Sequence, residues 1–120
     1  RRARRALSTI RAVWRLAGAT WEMLLGAAIC LATFRFRDAE SRRIQVRNWA
    51  RRTMRRIGVT LVVEGAPADG AVLVAANHVS WLDILAVDAV QAMRFVSKAD
   101  AHHWPVLGYM IECGGTIFIE

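Results

Sequence analysis

Acidic residues are scarce in the first half of this chain. Residues 1–58 hold fifteen arginines against three acids (Glu22, Asp38 and Glu40), a balance of +12, whereas residues 59–120 hold Arg94 and Lys98 against seven acids, a balance of −5. That asymmetry describes an arm that seeks negatively charged surface, joined to a mildly acidic module with another task. Cysteine is scarce as well. Cys30 and Cys113 form no spaced pattern, which excludes a disulfide framework and a zinc site and fits reduced thiols in a reducing compartment. There are no repeats and no low-complexity tract beyond the arginines. No groove-reading nucleic-acid motif occurs. His102-His103 reads as a surface pair, since no third ligand sits at useful spacing, and no metal is expected.

What is present is apolar. Hydrophobic residues make up 55% of the chain. Leu16 to Phe34 is a run of 19 residues with one charge, Glu22. As a helix it would reach roughly 28 Å, close to a bilayer core of ~30 Å. A lone acid near its middle costs ~2.5–3.5 kcal/mol on insertion scales. Both flanks are basic, with six arginines before the run and nine between Arg35 and Arg56. That pattern leaves open one span, a helix held on one leaflet with both ends facing the cytoplasm, or a targeting peptide. Asp38 to Ile57 reads as a second helix. Val46, Trp49, Ala50, Thr53, Met54 and Ile57 share one face of it, and seven arginines crowd the rest. Such a helix suits an anionic lipid surface. Nucleic acid is the other anionic partner, and fifteen arginines would give steep salt dependence. The apolar run between the arginine clusters speaks against it, so membrane lipids are expected as the partner and nucleic acid is not. Residues 1–57 are read as membrane-associating helices.

From Gly58 the pattern changes. Val59–Val63 is a β-branched run, Ala71–Ala76 an apolar one, and Leu82–Ala92 suits a helix. Arg94–Ser97 reads as a short strand, Pro105 starts another helix that stops at Gly114-Gly115, and Thr116–Ile119 looks like a further strand. Strands alternating with helices predict an α/β fold: amino-terminal membrane-associated helices, then a partial mixed, mostly parallel sheet with covering helices over residues 58–120.

N-H-V-S-W-L-D, Asn77 to Asp83, follows the second apolar run. Ser80 and Asp83 fit a capping box ahead of a helix, which would leave His78 as a loop residue. The same geometry serves chemistry. His78 falls just past a strand's carboxyl end, where ligands gather in open sheets, and Asp83 in the first turn of the next helix could reach the imidazole. A carboxylate on one ring nitrogen fixes the tautomer and supports the proton taken by the other. With no Ser or Cys nucleophile nearby, the substrate would bring its own, such as an alcohol attacking an activated acyl group. His78 as general base would contribute ~10²–10⁴-fold in rate.

These residues resemble the N-H-x-S-x-x-D (H-x₄-D) first motif of the glycerolipid acyltransferases, in particular the 1-acylglycerol-3-phosphate (lysophosphatidic acid) acyltransferases. F-V-S-K-A-D, then W-P-V-L-G-Y and G-G-T-I-F-I-E, is similar to the approach to that family's second motif, G-x-x-F-I-x-R. The likeness runs from about Trp49 to Glu120. It implies transfer of an acyl chain from acyl-CoA or acyl carrier protein to a lysophospholipid hydroxyl, at the cytoplasmic face of a bacterial inner membrane, with no metal and no other cofactor. It implies His78 as base, Asp83 as its support, Asn77 and Ser80 as residues shaping the turn, and Gly115, Thr116, Phe118 and Ile119 in acceptor binding. Lys98 is either a phosphate contact or a solvated lysine. Asp88 and Asp100 are read as solvated, and Trp81 and Trp104 as packing or interface residues. The family would place an arginine directly after Glu120 and an E-G-T-R motif later, so the chain is expected to be an amino-terminal piece, inactive alone. Lyso-ornithine lipid, other lysophospholipids or glycerol-3-phosphate are the alternative acceptors.

Overall fold

In the computed structural model of the chain, residues 2–77 and 79–119 are described. The arginine-rich start and the apolar run join into one helix, α1 (Arg2–Thr33), of 32 residues. Ala6–Phe36 is long and apolar enough to cross a membrane. A single 3₁₀ turn, Phe34–Phe36, ends it. Helix α2 (Ala39–Ile57) begins on Asp38, whose carboxylate accepts the Ser41 N–H, and ends on Gly58 in the left-handed conformation at φ 78. Both ends follow elementary rules: an aspartate cap satisfies an orphan N–H, and glycine takes a φ that a side chain disfavours.

Helix α2 turns back along α1. The Trp49 indole donates to the Glu22 carbonyl at 2.8 Å. Glu22 itself is buried, with 1% of its surface exposed. Its carboxylate takes Arg56 Nε at 2.7 Å and Arg52 Nε at 3.4 Å. The lone acid of the apolar run is therefore neutralised from α2, a partner that local sequence could not reveal. Gly26 allows the close approach: a Cβ there would stand 2.8 Å from both Trp49 Nε1 and Met110 Cε.

Helix α3 (Trp81–Val90) packs on α2 and completes the core. Ala50, Met54, Leu85 and Ala89 are buried together, with Trp49, Val59, Leu82 and Ala86 against them. Arg51 Nε, at 2.6 Å, donates to the Ala89 carbonyl at the end of α3, where unpaired carbonyls carry the negative end of the helix dipole. Strand β1 (Val96–Lys98) pairs in parallel with β2 (Ile117–Ile119), in the register Val96–Ile117, Ser97–Phe118 and Lys98–Ile119. Between them lies α4 (Leu107–Cys113), which also touches α1. The whole measures 52 × 34 × 29 Å.

The α/β class holds, with more helix than the sequence suggests. Residues 59–63 and 71–76, expected as strands, have no ladder partner among the described residues and, apart from half-buried Val59, run exposed, Val62 at 77% and Leu73 at 95%. A strand exists only by pairing, and β-branched composition alone supplies no partner. One further expectation is corrected. Asp88 is not solvated: it is 7% exposed, on the inner face of α3.

Candidate active site

Two groups of sequence-expected residues can be followed. The first is built at the start of α3. Ser80 is the N-cap, its hydroxyl accepting the Leu82 N–H at 3.3 Å. Asp83 Oδ2 accepts the Val79 N–H at 2.7 Å and the Ser80 N–H at 2.8 Å. The capping box is thus formed from both sides. Two backbone N–H donors on one carboxylate oxygen hold the side chain in a single orientation. The carboxylate is folded back onto the peptide N–H immediately after position 78. Asn77 is exposed on the approach. His78, the expected base, lies outside the described residues.

The second group is brought together by the strand pair. Gly115, at φ 75, forms the turn between α4 and β2, with its N–H on the Glu112 carbonyl at 2.9 Å. Thr116 follows, with its N–H on the Ile111 carbonyl at 3.3 Å. Phe118 is half-buried, and Ile119 stands beside Lys98 in the parallel register, both exposed. Lys98 and Ile119 therefore close the carboxyl-terminal end of the strand pair, the end at which open α/β sheets bind ligands. The main packing partner of α3 is α2, so the two groups rest on different neighbours.

Sequence reasoning gave Arg94 no place. The structure lays its guanidinium over Gly115: Nε donates to the Gly115 carbonyl at 2.7 Å, and a Cβ at position 115 would meet that nitrogen at 3.3 Å. Arg94 and Gly115 stand two residues before the paired Val96 and Ile117, so the strand offset that aligns the ladder also aligns this clasp. That offset is the signal that could have found it. Arg94 fixes the turn that launches β2. Trp81 and Trp104, expected as packing or interface residues, are 56% and 57% exposed, which leaves them outside the core. Among the described residues no three His, Cys, Asp or Glu side chains converge to hold a metal ion.

An α/β chain with a cap-locked carboxylate after an N-H-x-S motif and a glycine turn leading into a short parallel strand defines a class. Residues 59–120 match the Acyltransferase family, and the chain belongs to that family. It is 46% identical over 84 residues to a 1-acyl-sn-glycerol-3-phosphate acyltransferase of Neisseria meningitidis serogroup B, covering 68% of this chain and 32% of the relative. The corresponding protein of Neisseria gonorrhoeae is 53% identical over 59 residues, 47% of this chain and 23% of that one. A lyso-ornithine lipid O-acyltransferase of Rhodobacter capsulatus is 40% identical over 64 residues, 53% of this chain and 23% of that one. The chain therefore spans less than a third of the length of these relatives. No solved structure matches it.

Proposed function

We propose that the protein carrying this chain transfers an acyl group from acyl-CoA or acyl carrier protein to the free hydroxyl of 1-acylglycerol-3-phosphate, giving phosphatidic acid. The observation that carries this reading is the carboxylate of Asp83, held by the Val79 and Ser80 N–H groups at 2.7 and 2.8 Å within a stretch that matches the family. In this mechanism His78 takes the proton of the lysolipid hydroxyl as its oxygen attacks the thioester carbonyl. The tetrahedral adduct collapses, the C–S bond breaks, and the imidazolium returns the proton to the leaving thiolate. Asp83 supports the imidazolium from the neighbouring turn. Lys98, at the carboxyl end of the strand pair, contacts the phosphate, and the Gly115–Ile119 segment receives the acceptor.

The same protein works at the cytoplasmic face of a bacterial inner membrane, with α1 and α2 lying in the anionic interface. The buried Glu22 supports in-plane attachment over a crossing. A span would take Glu22 into hydrocarbon together with Arg52 and Arg56, and each charge is expensive there. Names of several relatives favour a second acceptor, lyso-ornithine lipid.

The test is the full-length protein given an acyl thioester with lysophosphatidate or lyso-ornithine lipid, with thiol release as the readout. His78→Ala should lower kcat by ~10²–10⁴-fold with unchanged melting temperature. Undiminished turnover in that variant removes His78 as the base, and turnover with lyso-ornithine lipid alone moves the acceptor to the second reading.

A further inference from the structure

Strand β2 starts under cross-strand control. In the register Val96–Ile117, a parallel ladder ties each bonded residue of one strand to two of the other. Its first rung is in place: the Ile117 N–H donates to the Phe95 carbonyl at 2.7 Å. One step earlier, the same ladder would run from the Phe95 N–H to the Gly115 carbonyl. At that carbonyl a side chain takes the place of the rung. Arg94 Nε donates to it at 2.7 Å, and the guanidinium lies so close over the turn that a Cβ at position 115 would meet Nε at 3.3 Å. Half-buried Thr116 thus stands between two anchors on neighbouring residues. The peptide before it is held at its oxygen by Arg94, and the peptide after it at its nitrogen by Phe95. The N–H of Thr116 makes a longer bond, 3.3 Å to the Ile111 carbonyl. Gly115, at φ 75, has no Cβ to hold the turn in one conformation. Arg94 therefore supplies the shorter of the two bonds on the Gly115–Thr116 peptide, and it supplies it from a side chain that a substitution can remove.

We propose that Arg94 is a positioning residue for the acceptor: its bond to the Gly115 carbonyl fixes the Gly115–Thr116 peptide, so that Thr116–Ile119 meets the lysolipid in one conformation. This role rests on the proposed acyl transfer, in which the Gly115–Ile119 segment receives the acceptor. The bond acts before the chemistry. It orders the segment in the free protein, so that binding of the lysolipid does not have to supply the ordering. Its loss weakens the ground state and the transition state alike, which raises KM for the acceptor and leaves kcat unchanged. The atom that matters is Nε, and the charge does not. A glutamine at position 94 carries its amide nitrogen at the same place along the side chain as Nε, without charge. A lysine carries the charge and puts its nitrogen one atom further out.

The experiment assays full-length protein in mixed micelles for thiol release, varying the lysolipid and the acyl thioester in turn. Arg94→Met, which removes the donor and keeps most of the side chain's length, should raise the lysolipid KM about 10-fold, with kcat and the thioester KM unchanged. Arg94→Gln should bring the lysolipid KM closer to the wild-type value than Arg94→Lys does. The reverse order means that the acceptor uses the charge, and overturns the positioning role. So does an Arg94→Met variant with a wild-type lysolipid KM, or one that lowers kcat and raises both KM values together, the mark of a general loss of structure. If Arg94→Met does not fold, the order of the glutamine and lysine variants decides the matter alone. A wild type that turns over neither lysophosphatidate nor lyso-ornithine lipid removes the acyl-transfer reading and this role with it. An active wild type beside an indifferent Arg94→Met removes this role only.

Discussion

Asp88 shows how far one side chain can depart from what its neighbours in sequence suggest. Its carboxyl faces the interior of the α2–α3 packing, and burial pushes its pKa up to about 6, with the Met93 N–H partly offsetting that rise. A carboxyl whose pKa is raised in the folded state is destabilising when ionised. The penalty is complete above pH 6 and is relieved as pH falls from about 6 towards the unfolded value near 4, so this group makes the fold more stable at mild acidity. The size is on the order of 2–3 kcal/mol. Asp88→Asn keeps an acceptor for the Met93 N–H and should raise the melting temperature at pH 7, with the gain disappearing by pH 4 in paired thermal melts. Glu22 is buried as well, but its charge is matched by two arginines. Arg52 and Arg56 are 43% and 52% exposed at the side chain while Glu22 is 1% exposed. Removing the acid leaves two cations that water can reach. Removing Arg56 strands part of a buried anion, the costlier change. Arg56→Ala should therefore destabilise by about 3 kcal/mol and Glu22→Gln by about 1 kcal/mol; chemical denaturation that reverses this order would show that Glu22 is not the buried partner.

At the scale of elements, the helices were legible and their partners were not. The periodic stripe of α2, its Asp38 cap and its Gly58 stop are local signals, and each stands where local rules put it. So do the Ser80–Asp83 box and the short strand before Ala99. The arginines that neutralise Glu22 and the arginine over Gly115 all lie 21 or more residues from their partners. Nothing in a window of sequence encodes such distances. The runs at 59–63 and 71–76 fail for a related reason, since a strand is defined by what pairs with it. Around the candidate site, the Ser80–Asp83 cap and the Gly115 turn into a strand were readable as local structure. The role of Arg94 was hidden because an exposed arginine has many acceptors to choose from. The element contact most sensitive to a single atom is α1 on α2 and α4. Gly26→Val would drive its branches into the Trp49 ring, which is fixed by its bond to the Glu22 carbonyl. A loss of about 1–3 kcal/mol is expected from such overpacking, read as a lowered midpoint in urea with unchanged helix content.

For the whole molecule, the chain's first half exposes apolar side chains along α1 and arginines along α2. Leu7, Ile10, Val13, Trp14, Leu16, Trp21 and Leu24 are all more than half exposed along α1. Attachment in the plane of an anionic leaflet has a simple signature. Single cysteines introduced by Ala6→Cys and Arg37→Cys, in a chain otherwise free of cysteine, should react with an impermeant maleimide from the same side of sealed vesicles. Labelling from opposite sides would mean that α1 crosses. Binding to vesicles containing phosphatidylglycerol should also weaken as salt rises, through screening of the arginines.

The hydrogen bond from the Trp49 indole to the Glu22 carbonyl also makes that ring a built-in optical gauge. The other four tryptophans, at positions 14, 21, 81 and 104, are each at least 56% exposed, so a water-soluble quencher extinguishes them and leaves the emission of Trp49. Opening of the α1–α2 hairpin can then be followed in unlabelled protein, as a red shift of the residual light.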